Sequence, residues 1–396
     1  MSENLRAANA ANAAHYDLMP FEMAPNVRLA PDYLAGLAAL YDVPHALTDV
    51  LDIGCGTGVE LERLGPIAPG RLVGVDLSAD ACDQARARCA PFGDRVRIDH
   101  ADFLDLDAGK LGQFDLILHI GCLYVVPPEV RRHVLDLIGR CLKPGGLAVI
   151  SYYAGSVAAL RVNLHRTLSA GLDLHAEPKS LITEARRRLE VIKAAVSEDA
   201  RGYLLLAQAL KETSDQPDAI LYHEVFTPDF STLQTTALEA ALAPHGVSFL
   251  TYTVPGPWSY LPAAIDRALT ADANDFAQGE YRYALFARAS GEMTPDLSRP
   301  AVRWSTPLRR LELGAYDTEA EFVYPAANIR LILKYALTQA LVEVLAEAPA
   351  RWDEALSAAH ARLNAQDLTA GKAEEELALK DLGILWGMHL ARPLGG

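Results

Sequence analysis

Between residues 50 and 153, short apolar runs alternate with segments of helical periodicity. We predict five strands from the apolar runs, at Val50–Ile53, Leu72–Asp76, Val96–His100, Phe114–Ile120 and Leu147–Tyr152. Helices are predicted between them, for example Ala79–Cys89 and Pro128–Leu142, and Lys143-Pro144-Gly145-Gly146 ends the second helix sharply. Strands that are apolar throughout are buried on both faces, and their alternation with helices places them in one sheet. The pattern therefore predicts a doubly wound, mostly parallel α/β domain.

Beyond Tyr153 the alternation stops. Period-3.6 spacing predicts helices at Val157–Leu168, Leu181–Ala195, Tyr203–Lys211 and Phe230–Leu242, with strands at Ile220–Phe226, Val247–Tyr252 and Tyr281–Ala289. After a linker at Pro295–Pro300, we predict helices at Ala326–Ala346, Trp352–Leu363 and Ala373–Leu382 and a terminal strand at Ile384–Leu390. This order predicts an α+β region followed by a mainly helical, winged-helix-like module. The module lacks a basic recognition helix, so packing or dimerisation is its expected role.

Composition narrows the class of protein. A chain of 396 residues is too long for one compact core, and its hydrophobic fraction of 51% is that of a globular protein. No apolar run reaches the length of a membrane span, and Met1–Ala14 lacks the apolar core of a signal peptide. The net charge of −15 argues against a nucleic-acid partner and is compatible with a basic peptide partner.

The cysteines are odd in number, and no pair has metal-ligand spacing. They are Cys55, Cys82, Cys89, Cys122 and Cys141. We expect reduced thiols, no metal site and a cytoplasmic location.

The first strand runs directly into a loop with glycine at every second position. Gly54, Gly56 and Gly58 follow Val50–Ile53, and a backbone without Cβ atoms allows a ligand to approach closely. The dinucleotide fingerprint is G-x-G-x-x-G, whereas this loop is G-x-G-x-G with Asp52 just before it. A carboxylate suits a ligand that carries an ammonium or sulfonium better than a pyrophosphate. A nicotinamide or flavin site is the alternative.

Here the sequence resembles the class I methyltransferases, which bind S-adenosylmethionine. The resemblance implies that Gly54, Cys55, Gly56 and Gly58 cradle this cofactor. Ligands bind at the carboxyl ends of parallel strands, so the residues at the other strand ends are further candidates. These candidates are Asp76 with Leu77 for the ribose, Asp102 with Phe103 for the adenine, and His119 with Gly121 near the methyl group.

The first 46 residues are interpreted as a cap over the mouth of the cofactor site. Pro31-Asp32 opens a helix at Tyr33–Tyr41, and Tyr16 is a candidate cofactor contact, with ordinary packing as its alternative. The predicted boundaries are therefore a cap at 1–46, a cofactor domain at 47–155, a helical and regulatory or substrate region at 156–292 and a C-terminal domain at 293–396.

A wider resemblance covers nearly the whole chain. Phe114–His119, Val149–Tyr152 and above all Leu221-Tyr222-His223-Glu224 resemble a group of bacterial methyltransferases that carry a methyltransferase regulatory domain. That group includes protein lysine methyltransferases, so the resemblance implies methylation of a peptide or protein. The chain departs from the group at Leu123-Tyr124-Val125 and at Tyr153–Ser156, which border the expected substrate pocket.

Methyl transfer is an in-line displacement, so the protein mainly has to hold the nucleophile in line and exclude water. The candidates for the substrate wall and for orientation are Tyr124, Tyr152, Tyr153 and His223, each of which could instead pack at a domain interface. Glu224 could orient His223 or accept a proton, but a surface salt bridge is favoured for it.

Three functions follow from these features. The first is methylation of a side-chain amine or carboxylate on a peptide or protein, with a homodimer as one expected assembly. The second is a small-molecule O- or N-methyltransferase whose extra domains form a dimer and a lid. The third is a non-catalytic protein that senses the cofactor, which the intact glycine loop and carboxylates disfavour.

Overall fold

A computed structural model describes residues 15–19, 29–43, 45–174, 176–196, 203–227, 229–253, 281–289, 295–311, 316, 319–324, 329–388 and 390–395. The chain divides into two compact units. The first unit contains Met1–Pro25, Leu47–Phe249 and Ala271–Ala289, and the second contains Asn26–Ala46, Leu250–Thr270 and Ser290–Gly396.

A seven-stranded sheet forms the centre of the first unit. Its strands are β1 (Val50–Ile53), β2 (Leu72–Asp76), β3 (Val96–His100), β4 (Phe114–His119), β5 (Leu142–Tyr153), β6 (Val247–Tyr252) and β7 (Tyr281–Arg288). They are arranged in the order β3-β2-β1-β4-β5-β7-β6, in which β1 to β5 are parallel and β7 is antiparallel to β5. The predicted doubly wound, mostly parallel sheet is confirmed.

Helices lie between and beyond these strands. They span Val59–Leu64, Ala79–Cys89, Ala108–Leu111, Pro128–Cys141, Gly155–Ser169, Pro178–Ala195, Tyr203–Asp215, Asp218–Val225 and Thr235–Leu242, with 3₁₀ turns at Ala90–Arg95, Phe103–Asp105, Leu123–Val125 and Ala243–His245. Local chemistry fixes the N-termini of two of these helices. The Ser78 hydroxyl caps the helix Ala79–Cys89 by accepting from the Ala81 N–H at 3.2 Å. Pro128 begins the helix Pro128–Cys141 at a position where no backbone donor is needed.

Three predictions in the first unit were wrong in detail. The helix predicted at Phe230–Leu242 begins only at Thr235. Ile220–Phe226 is not a strand, because Asp218–Val225 is a helix. Its residues Leu221 to Val225 are all buried, so this part of the helix has no exposed polar face that would reveal the 3.6-residue period in the sequence. The sharp stop at residues 143–146 is an irregular stretch inside β5, where the pairing with β4 shifts register between Phe114 and Leu116.

The second unit combines helices with two small antiparallel sheets. Its helices span Pro31–Leu40, Ala336–Glu347, Trp352–Asn364 and Lys372–Gly387. Its strands are β8 (Val302–Ser305), β9 (Arg309–Arg310), β10 (Ala320–Tyr324), β11 (Ile329–Leu333), β12 (Ala350–Arg351) and β13 (Arg392–Gly395), in the orders β11-β10-β9 and β12-β8-β13. The buried rings of Trp304 and Trp386 meet in its core, with centroids 6.3 Å apart.

The predicted helical C-terminal region is present, but one helix boundary and the position of the terminal strand were wrong. The helix predicted at 326–346 begins only at Ala336, because Ile329–Leu333 pairs with β10 as a strand. The strand predicted at 384–390 is instead largely the end of the helix Lys372–Gly387, and the terminal strand is β13. The helix Pro31–Leu40 packs on β13, where Gly36 leaves room for the backbone of Pro393.

Candidate active site

Three glycines shape the loop after β1, and they do so for different reasons. Gly54, Gly56 and Gly58 have φ angles of +84°, +50° and +79°, a region that side chains with a Cβ rarely adopt. A Cβ on Gly54 would lie 2.4 Å from the Cys122 sulfur, and one on Gly58 would lie 2.9 Å from the Cβ of Ala85. A Cβ on Gly56 would meet nothing within 4 Å, because Gly56 faces a cavity. Packing therefore requires two of the glycines, and the third opens the loop to a ligand.

Asp76 joins the end of β2 to this loop. Its carboxylate accepts from the Gly56 N–H at 2.8 Å and from the Ser78 N–H at 2.9 Å, and it borders the same cavity. Burial raises the pKa of the Asp76 carboxyl, and these backbone donors oppose the rise. The side chain that the sequence assigns to a ribose thus also fixes the conformation of the glycine loop.

Asp52 presents a carboxylate to the cavity from within the sheet. It is only 3% exposed, and burial, followed by the nearby Glu60 and Asp76, raises its pKa well above the ordinary value. A desolvated carboxylate close to two others is costly unless a cation offsets it. This arrangement fits the ammonium or sulfonium that the sequence predicts for the ligand.

The cavity itself is acidic and aromatic. Its volume is about 310 Å³. Six carboxylates line it, namely Asp17, Asp52, Glu60, Asp76, Asp80 and Glu224. Among the described residues that line it there is no lysine or arginine. Such a lining favours a positively charged ligand over an anionic one.

Residues 15–19 cover one side of the cavity. His15 stacks on Tyr222 with ring centroids 4.3 Å apart, and Tyr16 stacks on His223 at 4.5 Å. The His223 Nε2 lies 2.6 Å from the Met19 carbonyl oxygen, a hydrogen bond that ties the segment to the helix Asp218–Val225. Burial lowers the pKa of His15 to about 4, so this stack is neutral near pH 7. Tyr16 lies at the cavity, where the cap prediction requires it.

An aromatic wall closes the end of the cavity beyond the glycine loop. The ring of Tyr124 lies 4.8 Å from that of Tyr153 and 5.8 Å from that of Tyr281, and Phe230 packs 5.2 Å from it. Tyr153 and Tyr281 are direct partners in the antiparallel pair β5–β7. This wall is built by segments that are far apart in sequence.

Glu224 lies against this wall, buried rather than on the surface. It is 7% exposed, and it accepts from the Tyr153 hydroxyl at 2.5 Å and from the Gln216 amide at 2.7 Å. Burial raises its pKa, while Arg161 opposes the rise. The surface salt bridge favoured from the sequence is therefore wrong, and Glu224 accepts hydrogen bonds from Tyr153 and Gln216.

Ten of the predicted site residues line the cavity. They are Tyr16, Asp52, Gly54, Cys55, Gly56, Asp76, Gly121, Tyr124, Tyr153 and His223. Six do not: Gly58, Leu77, Asp102, Phe103, His119 and Tyr152.

The geometry explains why these side chains lie elsewhere. His119 is fully buried with Nδ1 2.7 Å from the Ile53 carbonyl oxygen, and burial lowers its pKa to about 4. Phe103 packs edge-on against its ring. The fully buried Tyr152 bonds through its hydroxyl to Thr235, on the face of β5 opposite to Tyr153. Asp102 accepts from the Leu104 N–H at 2.9 Å and so caps the following 3₁₀ turn.

Sequence reasoning missed Tyr281. It begins β7, and because β7 runs antiparallel to β5, the start of β7 lies at the carboxyl end of β5. A strand-end rule for parallel sheets does not find such a residue, since the pattern carries no information on strand direction. Its hydroxyl is 2.7 Å from the Ser151 hydroxyl, which in turn accepts from the Gly121 N–H.

A family model described as "Methyltransferase domain" matches residues 50–146. The match includes Asp52, the glycine loop and Asp76. The protein is an S-adenosylmethionine-dependent methyltransferase.

Two relatives match a longer part of the chain than the family model does. An uncharacterized protein of Rickettsia prowazekii is 26% identical over 223 residues, which cover 54% of the present chain and 87% of that relative. The 27-O-demethylrifamycin SV methyltransferase of Amycolatopsis mediterranei is 28% identical over 176 residues, 43% of the methyltransferase and 62% of the relative.

Two solved structures of one protein are similar to this chain over most of its length. PKMT2 from Rickettsia typhi has a TM-score of 0.77 at 18% identity, covering 94% of the methyltransferase and 77% of that chain. The same protein in complex with AdoHcy gives a TM-score of 0.75 at 18% identity, covering 95% and 77%. At this identity the likeness establishes a shared fold.

The cofactor is S-adenosylmethionine, which supplies an electrophilic methyl group on a sulfonium when bound. The residues of the cavity fit it, because Gly56 presents bare backbone and the buried Asp52 offers an anion to a cation. Asp76 would hold the ribose.

Among the described residues, no group of three or more His, Cys, Asp or Glu side chains is arranged to hold a metal ion, and none of the described helices could span a membrane. The five cysteines are free thiols.

Proposed function

We propose that the methyltransferase modifies a side-chain amine of a peptide or protein. The observation that carries this proposal is the composition of the inner cavity, where tyrosine rings and the buried Glu224 adjoin the glycine loop. A cationic amine is attracted to aromatic faces and to a carboxylate. A carboxylate acceptor would instead meet Asp52, Asp76 and Glu224, with no lysine or arginine among the described lining residues to offset its charge.

The size and pattern of the chain support a large acceptor. The matched segment 50–146 is about a quarter of the chain, and the rest is more than a small acceptor would require. The resemblance to bacterial methyltransferases with a regulatory domain, a group that includes protein lysine methyltransferases, points the same way. The shared fold with PKMT2 over 94% of the chain is compatible with this proposal. We assign residues 156–292 to shaping the acceptor end and propose a cytoplasmic location.

A small-molecule acceptor is the second candidate. It is favoured by the similarity to the 27-O-demethylrifamycin SV methyltransferase, whose name gives a small-molecule substrate. The cavity volume of about 310 Å³ is also that of a pocket for a small ligand.

Mass spectrometry of a lysine-centred peptide library distinguishes these candidates. The full chain is incubated with the library, an extract of small metabolites and S-adenosylmethionine, with Gly56→Val as the matched inactive control. We expect gains of one methyl mass on lysine that survive mild base. A base-labile gain would identify a carboxylate ester instead. Methylation of metabolites alone, with no peptide modified, would contradict a peptide acceptor.

A further inference from the structure

We propose that Glu224 recognises the acceptor amine and receives the proton that this amine must lose before it can react. The inference rests on the proposed function, since it requires an amine acceptor. It assigns to one buried residue both the choice of acceptor and the removal of its proton.

The position of Glu224 is the first argument. Its side chain lines the same cavity as Gly56 and Tyr124, next to the aromatic wall. Each carboxylate oxygen has one donor: the Tyr153 hydroxyl on Oε1 at 2.5 Å and the Gln216 amide on Oε2 at 2.7 Å. An ionised carboxylate has about four acceptor sites, so both oxygens retain capacity for an N–H of the amine.

The second argument is that no cation among the described residues pairs tightly with Glu224: the one that faces it, Arg161, lies nearer to other groups. The nearest guanidinium nitrogen of Arg161 is 3.9 Å from Oε2 of Glu224, whereas the same guanidinium is 2.9 Å from Glu212 and 3.3 Å from the Tyr153 hydroxyl. A carboxylate kept only for structure would be cheaper as an amide or as a tightly paired ion. Glu224 is instead buried with neutral donors on both oxygens, which leaves its charge available to a cationic acceptor.

Several titratable groups of the described residues lie near Glu224. Arg161 and His165 face it from the helix Gly155–Ser169, and the His165 Nε2 is 3.9 Å from Oε2. Burial and Arg161 lower the pKa of His165 to about 3, so this ring is neutral and adds no charge. The remaining neighbours are hydroxyls: Tyr153 donates to Glu224 directly, and Tyr16 and Tyr124 lie close enough to be affected by its charge. Arg161 is therefore the one permanent cation among these described neighbours.

The chemistry balances with the groups present. A side-chain ammonium gives one proton to the Glu224 carboxylate and becomes a neutral amine. The amine lone pair then forms the bond to the methyl carbon, and the pair of the breaking carbon–sulfur bond stays on sulfur, which becomes a thioether. The methylated nitrogen carries the positive charge, and Glu224 releases its proton to water when the product leaves. No oxidant or metal is required for this balance.

Binding tests the recognition step without turnover. The full chain is loaded with S-adenosylhomocysteine and titrated calorimetrically with Nα-acetyl-lysine methylamide and, as a matched neutral probe, Nα-acetyl-norleucine methylamide. We expect the wild type to prefer the lysine probe and Glu224→Gln to lose about 10- to 150-fold in lysine affinity, the effect of one charge-assisted contact. The norleucine affinity and the S-adenosylhomocysteine affinity should remain within about twofold, which also shows that the variant is folded.

The pH dependence tests the proton step. The wild-type kcat/KM for a lysine peptide should rise with pH as Glu224 ionises. In Glu224→Gln this rising limb of the pH profile should disappear, and the rate should fall by about 10²- to 10⁴-fold. Tyr153→Phe keeps the carboxylate but removes a donor that favours its ionised form, so the limb should move to higher pH.

The outcomes separate this proposal from the function on which it rests. Lysine methylation by the wild type together with unchanged lysine affinity, rate and pH limb in Glu224→Gln would overturn the role of Glu224 and leave the function intact. An unmoved limb in Tyr153→Phe would overturn the proton step. Equal affinity of the wild type for the lysine and norleucine probes would overturn recognition. Failure of the wild type to modify any lysine peptide would refute the function itself.

Discussion

The buried carboxylate of Asp52 should contribute to binding at the expense of folding stability. Its pKa is raised well above the ordinary value, first by burial and then by Glu60 and Asp76. The folded protein therefore binds a proton that the unfolded chain has already released, over the range between the two pKa values. Stability is lost as pH rises through this range, and it remains lower above it. Asp52→Asn removes the penalty, so the cofactor-free variant should unfold at a higher temperature near pH 7 than the wild type.

The same substitution should weaken cofactor binding. A hydrogen bond to a charged group contributes about 1.5–3 kcal/mol, so one lost contact corresponds to about a 10- to 150-fold rise in Kd. If Asp52 acts on the sulfonium, the loss should be larger for S-adenosylmethionine than for S-adenosylhomocysteine, whose sulfur is neutral. If it acts on the ammonium, both ligands should weaken equally.

Calorimetric titrations and thermal unfolding between pH 4 and pH 9 measure both effects. Asp94→Asn is the matched control, because Asp94 is an exposed carboxylate that does not line the cavity. The stability gain should shrink as the pH falls towards 4, close to the ordinary carboxyl pKa, because the unfolded chain then begins to bind the proton that the folded protein already holds. Unchanged Kd values for both ligands together with unchanged unfolding temperatures would refute the reasoning.

Three further predictions follow from the fold. Gly56→Ala and Gly246→Ala both place a Cβ at positive φ in open space, so we expect a similar stability loss of about 1–2 kcal/mol in each, but loss of S-adenosylmethionine binding only at Gly56, as calorimetry would show. Lys143→Met should destabilise the protein in thermal unfolding without changing cofactor Kd. Lys143 holds down the pKa of Asp49, and this contribution, present above the ordinary carboxyl pKa, should fade as pH falls below that value. His223→Ala should release residues 15–19, raising their hydrogen exchange and the cofactor Kd; unchanged exchange would contradict the role of the stack.

The sheet could be predicted in detail because its signals are local. β1, β2 and β3 have the predicted bounds. The first two are mainly apolar runs that end at a glycine or a polar residue, and β3 alternates apolar and polar residues. The rule that ligands bind at the carboxyl ends of parallel strands then brought Asp52, Gly56 and Asp76 to one cavity.

The errors arose where burial hides the period. The helix Asp218–Val225 has a run of buried residues that includes Tyr222 and Val225, types that favour strands, and only its tertiary neighbours decide its conformation. In the opposite case, Ile329–Leu333 has no fully buried residue, because it pairs with β10 at the edge of a small sheet. Neither partner is visible in the local sequence.

The acceptor end of the cavity was only partly predictable for the same reason. Tyr153 and Glu224 are 71 positions apart, and Tyr281 follows after many more. Their proximity depends on the packing of a helix and an antiparallel strand whose placement no motif encodes. His119 and Tyr152 have the right chemistry at nearly the right place, but alternation along a strand turns each side chain into the interior.

The insertion of β7 beside β5 has an evolutionary consequence. The donor-side groups Asp52, Gly56 and Asp76 all belong to the contiguous stretch 50–146, whereas Tyr153, Glu224 and Tyr281 are contributed by later parts of the chain. Mutations that remodel the later segments can therefore change which nucleophile is accepted while the methyl source stays the same. Sequence similarity within residues 50–146 therefore identifies the methyl donor, whereas divergence of the later segments allows related enzymes to methylate different acceptors.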